Sequence, residues 1–374
     1  MYSRLVLLLC LNYGVVVEVL GQNSLGSRLL DLGQHNVFPE SVTLSGFSSG
    51  GTFAQQLQIS YSSLFSGIAS FSHAYYRCGP GNGTEADYDN ACTIVGNNPV
   101  AYDPDRALAD IRRYEREGVI ERTRNLRNKK LYLYAGSRSS FFNLDQSLGA
   151  IRVYEPLIQN IDAIKIRVQD AEQLLPTANF GRACRLNAQN SFFLGNCGFS
   201  GAYEALQFLL GDAIKQPPAP LRPNPRNFLR FDQTEFFYGI EGNGDHFMDT
   251  IGYIYVPRQC YQRRCFLHLY FHGCLTGREF NGTRHLVNSG YLELAEANDL
   301  IVLAPQAVGT GPGGENEIGC WDTYGLTGPN YVATQLGAQV TVVRNILTRI
   351  LGGDGFQRQN PSQGQSTLNG IGGY

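Results

Sequence analysis

Val42-Thr43-Leu44-Ser45-Gly46-Phe47-Ser48-Ser49-Gly50-Gly51 decides how this chain is read. Residues 41–45 (SVTLS) form a short apolar run that reads as a strand, and a helix is expected near 52–62. Between them Gly46-Phe47-Ser48-Ser49-Gly50 matches G-x-S-x-G, in the strand–turn–helix setting that a nucleophile elbow requires. Such a turn holds its serine in a strained conformation, and glycines on both sides relieve the crowding. Ser48 is then the nucleophile position, its hydroxyl projecting at the top of a sheet. The backbone N–H of Ser49 falls at a helix N-terminus, where it faces developing negative charge. A second piece, His272-Gly273-Cys274, follows directly on the apolar run FLHLYF at 266–271. A His-Gly pair after a central strand makes the Cys274 N–H the second oxyanion donor.

Outward from these two pieces, apolar runs at 64–71, 130–135, 163–168, 251–256 and 300–304 read as further strands. Helices are expected near 104–117, 145–160, 200–211, 286–297 and 331–350. Asp103 can cap the first of these and Gly118 can end it. Apolar strands alternating with helices indicate an α/β fold, a mostly parallel sheet with helices on both faces. A proline-rich joint at 216–225 (QPPAPLRPNP) splits the chain. We read it as a surface connection inside one domain spanning 22–351, since neither half has enough strands to bury both faces of its own sheet. The segment 352–374 is rich in Gly, Gln, Asn and Ser and reads as a disordered tail.

The composition, 43% apolar and 17% charged, is that of a globular chain with a sizeable core. A net charge of -2 names no nucleic-acid partner. Residues 1–21 read as a signal peptide: Arg4, an apolar run from Leu5 to Leu11 and from Val15 to Val17, then Gly21. Asn12, Gly14 and Glu18 interrupt that run, which therefore falls short of the ~20 apolar residues of a membrane span. Without Cys10 an even set of eight cysteines is left, which suits disulfides in an oxidising compartment. Short gaps favour Cys78–Cys92, Cys184–Cys197 and Cys260–Cys265, leaving Cys274–Cys320. The sequons at Asn82 and Asn281 are candidate glycosylation sites. No C-x-x-C pair occurs, and no metal or organic cofactor is implied. The Arg-rich stretch 112–130 (Arg112, Arg113, Arg116, Arg122, Arg124, Arg127) is interleaved with glutamates and reads as a solvated helical face. Tyr75, Tyr76 and Tyr102 read as packing inside a disulfide-bound loop.

Taken together, these motifs resemble the secreted poly(3-hydroxybutyrate) depolymerases of the single-domain type. The resemblance runs through VTLSGFSSGG at 42–51, YSSLFSGIASF at 61–71, KLYLYAGS at 130–137 and Pro176-Thr177. It continues in GYIYVP at 252–257, HGCL at 272–275, LIVLAPQA at 300–307 and GCWD at 319–322. It implies a circularly permuted α/β-hydrolase fold, because the nucleophile here precedes the oxyanion strand, the reverse of the usual order. It also implies an esterase acting on short-chain polyesters through a Ser-His-Asp triad, with Trp321 on the wall of the substrate cleft. The acid is expected after KLYLYA in a Gly-Ser-x-Asp setting, where Ser139 stands instead. The histidine is expected three residues before Pro176-Thr177, where Gln173 stands. Asp145 is near enough in sequence to serve as the acid if the loop is shifted. No small register error restores the histidine, since none occurs between His73 and His246.

Glutamine takes no proton near neutral pH, and a serine hydroxyl is a weak nucleophile without a base. Loss of the histidine in a serine protease lowers turnover by about 10⁶-fold. The expectation is therefore a secreted pseudoenzyme that binds an ester, a polyester or another small apolar ligand in its cleft. Two alternatives stand beside it. One is an active carboxylic-ester hydrolase in which His73, within Ser72-His73-Ala74, acts as a displaced base. The other is a secreted structural or matrix protein. His272 is assigned to the oxyanion loop, and His35, His246, His268 and His285 to structural or surface roles. The sequence names no protein partner.

Overall fold

A computed structural model describes residues 29–81, 83–101, 103–240, 245–328 and 333–353. The expected signal segment, Asn82, Tyr102 and all but the first two residues of the expected tail lie outside the described residues. In chain order the strands are β1 (Leu29–Leu30), β2 (Thr43–Phe47), β3 (Gly67–Phe71), β4 (Lys130–Gly136), β5 (Ile164–Gln169), β6 (Leu175–Thr177), β7 (Arg182–Ala183) and β8 (Leu194–Asn196). After the proline-rich joint come β9 (Phe228–Asp232), β10 (Ile251–Tyr255), β11 (Phe266–Phe271) and β12 (Leu300–Ala304). The helices are α1 (Ser49–Ser60), α2 (Glu85–Cys92), α3 (Pro104–Glu117), α4 (Leu144–Ile158), α5 (Gly201–Leu210), α6 (Arg278–Asn281), α7 (Arg284–Asn288), α8 (Tyr291–Ala297) and α9 (Ala338–Leu351).

Nine strands form one sheet in the order β1-β9-β10-β12-β11-β2-β3-β4-β5. Strands from both sides of the proline-rich joint thus share a sheet, and β11 pairs directly with the elbow strand β2, Phe271 opposite Gly46. Pairing is parallel throughout except at β10, which runs antiparallel to β9 and β12. The central strands β2, β3 and β12 are buried at every residue, as strands covered on both faces must be. One face packs on Phe53 and Leu57 of α1, Val153 and Tyr154 of α4, and Ile346 and Leu347 of α9. The other packs on Ala205 and Leu206 of α5 and Leu292 and Ala295 of α8. The elbow strand β2 precedes its mid-sheet neighbour β11 in the chain, which is the permuted α/β-hydrolase order.

Several boundaries differ from the sequence reading. The elbow strand ends at Phe47 rather than residue 45, because Gly46 and Phe47 still pair with Ser70 and Phe71 of β3. Helix α1 starts at once, at Ser49. The single helix read at 286–297 is broken in two at Gly290, which has a left-handed φ of 92°. The helix read from 331 begins only at Ala338. Strand β9 and the small sheet β6-β8-β7 were not read at all. The small sheet's strands have two or three residues and carry no period for a sequence to show, and β9 (FLRFD) has a burial pattern that does not alternate. All four favoured cysteine pairs form, with Cα–Cα distances of 4.2 to 5.7 Å.

Helix α3 begins and ends as its sequence dictates. The Asp103 side chain accepts from Arg106 N at 3.0 Å, and Gly118 closes the helix at φ 72°. Replacing Asp103 by Ala is expected to cost about 1 kcal/mol, read as a lower urea midpoint at unchanged slope. An unchanged midpoint means the cap contributes nothing.

Candidate active site

The turn between β2 and α1 leaves no room for side chains at its glycines. A Cβ on Gly46 would lie 2.1 Å from Gly50 O, and one on Gly50 would lie 2.2 Å from His272 O. Ser48 between them takes φ 54° and ψ -123°, a left-handed-side conformation rare outside glycine. It is held there by Ser48 N donating to Phe71 O at 2.9 Å and by Gly51 N donating back to Ser48 O at 2.9 Å. The Ser48 side chain does not cap α1, and the residue is 7% exposed.

The loop after β11 closes on this turn. A Cβ on Gly273 would approach Ser48 Cβ to 2.9 Å, so only glycine admits the contact. Gly273 N donates to Thr276 Oγ1 at 2.7 Å and Leu275 N to Ile318 O at 2.8 Å. Among the described residues, the intervening Cys274 N–H and the Ser49 N–H at the start of α1 have no acceptor. Ser49 Oγ lies 3.3 Å from Cys274 Sγ. The sulfur is in a disulfide with Cys320 and has no proton, so the hydroxyl is the donor. His272 braces the loop from beneath. Its Nε2 accepts from Ala307 N at 3.0 Å, which places the ring proton on Nδ1, 2.8 Å from Gly273 O.

Trp321 does not line a cleft, as the resemblance implied. It is 0% exposed, stacked on Phe53 at 4.3 Å and set edge-on to Phe271 at 5.0 Å, beneath the elbow. Its loop is fixed by Asp322, whose carboxylate accepts from the backbone N–H groups of Tyr324, Gly325, Leu326 and Thr327. The backbone N–H of Trp321 donates to Ser49 Oγ at 3.3 Å.

Ser139 and Gln173 do meet. Ser139 Oγ donates to Gln173 Oε1 at 2.9 Å, and Gln173 Nε2 donates to Ser72 O at 2.9 Å. Ser139 Oγ also accepts from Phe142 N at 3.0 Å and Phe141 N at 3.3 Å. Two loops, after β4 and β5, therefore present a polar pair beside the loop after β3. Ser72, whose φ is 47°, was missed by the sequence reading because its contribution is a backbone carbonyl. Glu172 was missed as well. Its Oε2 accepts from Ser140 N at 3.0 Å and Gln173 N at 3.1 Å, which ties the two loops together. Asp145 is exposed in the first turn of α4 and makes no bond to Gln173.

His73 is fully buried, and no hydrogen bond joins it to Ser48. Its Nδ1 lies 2.8 Å from Ala74 O and 3.0 Å from Gln55 Nε2, while Nε2 is buried without a partner. His268 sits between Thr43 Oγ1 and Ser45 Oγ, at 2.8 and 2.7 Å. His285 bridges Phe192 O at 2.7 Å and Tyr270 OH at 2.5 Å. Both bind the core together. His246 is half-buried and accepts from Met248 N at 3.1 Å, and His35 packs beside Tyr261.

Burial holds the imidazoles of His73 and His285 down to a pKa of about 4 and that of His268 to about 3, from 6.5. The unfolded chain thus binds more protons below pH 6.5, so the stability these neutral rings contribute is present above that pH. It is lost as pH falls toward 4 and below. Urea unfolding at pH 7, 5.5 and 4.5 is expected to show stability falling with acidification, by up to about 1.4 kcal/mol per pH unit for each such ring. The fall is expected to be shallower in His268→Gln. The same slope in both proteins would mean that His268 is not held neutral.

No family model matches the chain. It is 28% identical over 318 residues to a poly(3-hydroxybutyrate) depolymerase of Delftia acidovorans, across 84% of this chain but only 60% of that protein. It is 29% identical over 339 residues to a polyhydroxybutyrate depolymerase of Talaromyces funiculosus, across 85% of this chain and 91% of that one. Among solved structures it is similar to the crystal structure of a PHB depolymerase from Penicillium funiculosum, with TM-score 0.73 and 27% identity, covering 86% of this chain and 99% of that one. It is likewise similar, with TM-score 0.71 and 27% identity over the same shares, to a serine-to-alanine PHB depolymerase complexed with a 3-hydroxybutyrate trimer. Sequence and fold together make this chain a homologue of the polyhydroxybutyrate depolymerases.

Proposed function

We propose that the chain is a secreted depolymerase homologue that binds an ester, or a short polyester segment, without hydrolysing it through a triad. The Ser139–Gln173–Ser72 hydrogen-bond chain carries this reading. In a working triad an acid orients a base, and the base takes the serine proton. Here both ends of the Gln173 amide are already engaged, and neither Ser139 nor Gln173 accepts a proton at neutral pH. We assign Ser48 as the nucleophile position and the Ser49 and Cys274 N–H groups as donors to a ligand carbonyl oxygen. Such donors stay favourable to binding when the base is lost, and they leave a residual of roughly 10³ to 10⁴ over water. Secretion is supported by the four disulfides and by the leader reading of residues 1–21. No helix among the described residues is long and apolar enough to cross a membrane. Asn281, half-buried with its Nδ2 donating to Leu275 O at 2.6 Å, is the sequon within the described residues.

A second reading rests on the unpartnered Nε2 of His73. With the proton on Nδ1, donated to Ala74 O, that nitrogen carries a lone pair and is a candidate displaced base for an active esterase.

Hydrolysis of p-nitrophenyl butyrate separates the two. The natural protein is expected to match Ser48→Ala. The pair Ser139→Asp with Gln173→His is expected to gain Ser48-dependent turnover of about tenfold or more. Turnover in the natural protein that disappears in both Ser48→Ala and His73→Ala establishes the second reading and ends the first.

A further inference from the structure

The segment 112–130 holds eight basic and three acidic residues, a net charge of +5 in a chain whose total is -2. The acidic residues do not neutralise it. Glu115 accepts from Thr123 Oγ1 at 2.8 Å, Glu121 is turned inward to Ser63 N at 2.6 Å, and Glu117 pairs with Arg113. Arg113 also pairs with Asp110 and lies over the Tyr114 ring, and Lys130 Nζ is bound to Phe208 O. Lys129 is half-buried and feels the charge of Glu121. Arg112, Arg116, Arg122, Arg124 and Arg127 remain, all exposed and in no ion pair among the described residues.

These five guanidinium groups occupy one compact surface. Arg112 and Arg116 are one turn apart on α3. The chain reverses at Gly118, and the Thr123–Glu115 bond lays the next turn, Thr123–Leu126, beside the last turn of α3. Leu126 is buried and anchors that turn, from which the other three arginines project. The patch also faces away from the candidate active site. Lys130, at its end, aligns through Gly67 with Thr43, at the start of the elbow strand, whereas Ser48 follows the end of that strand.

We infer that this surface binds a sulfated polysaccharide and tethers the protein with its cleft pointing outward. Guanidinium groups pair with sulfate oxygens in a two-pronged geometry, and arginine accounts for all five exposed, unpaired cations of the segment. No large apolar side chain is exposed within 112–130 to enter a lipid surface, and its aromatic Tyr114 is buried, leaving nothing to stack on nucleic-acid bases. Four disulfides suit an oxidising, extracellular compartment, so a polyanion outside the cell is the partner under the proposed secretion.

Immobilised heparin tests this with the full secreted protein. Retention is expected at about 0.15 M NaCl and release on raising the salt, since screening weakens exposed charge pairs. The triple substitution Arg122→Glu, Arg124→Glu, Arg127→Glu is expected to bind about tenfold more weakly or worse. A control with the same net charge, Arg222→Glu, Arg226→Glu, Arg258→Glu, changes exposed arginines elsewhere and is expected to be retained. Matching thermal midpoints show that both variants are folded. Equal retention of the two variants, or no retention of the natural protein, overturns the proposal. So does binding to phosphatidylserine vesicles without binding to heparin, which would make the partner a membrane.

Discussion

The contact between the elbow turn and the loop after β11 is the constraint on which the rest of the structure depends. Gly46, Gly50 and Gly273 bring three backbone segments closer than any Cβ allows, and that closeness forces Ser48 into its left-handed-side conformation. Strand pairing on both sides of β2 supplies the rigidity that holds such strain in place. The buried stack of Phe53, Trp321 and Phe271 supports the turn from below, and the Cys274–Cys320 disulfide joins the two loops that meet above it. The backbone N–H groups of Ser49 and Cys274 are left without an acceptor among the described residues.

The same frame holds Ser139 and Gln173 against one another. Ser139 takes the place expected of an acceptor, with the N–H groups of Phe141 and Phe142 aimed at it. Gln173 keeps a side chain with an acceptor at one end and a donor at the other, as a neutral imidazole has. The pair is therefore satisfied by hydrogen bonds between groups that are neutral at pH 7. Burying a neutral, fully paired Ser–Gln set costs less than burying a charged pair, since no ion has to leave water.

Much of this was legible beforehand. Asp103 and Gly118 declared the ends of α3, the buried central strands declared a sheet covered on both faces, and cysteine spacing declared four pairs that do form. Other features were not legible. Trp321 was placed on a cleft wall by the family resemblance, but the side chain packs in the core against Phe53 and Phe271. The charged stretch 112–130, with arginines interleaved with glutamates, read as a solvated helical face. Its glutamates in fact bind Thr123, Ser63 and Arg113, which leaves five arginines uncompensated.

The sequence by itself determined the elbow, the order of its elements and the absence of a histidine between His73 and His246, because these depend on residue identity and spacing along the chain. Tertiary structure decided which groups meet. The link from Ser139 to Gln173 crosses 34 residues and the link from Gln173 to Ser72 crosses 101. The free N–H groups of Ser49 and Cys274 follow strands far apart in the chain that become neighbours only through the pairing of β2 with β11. Side-chain direction and long-range partnership are set by packing, for which local sequence carries no signal.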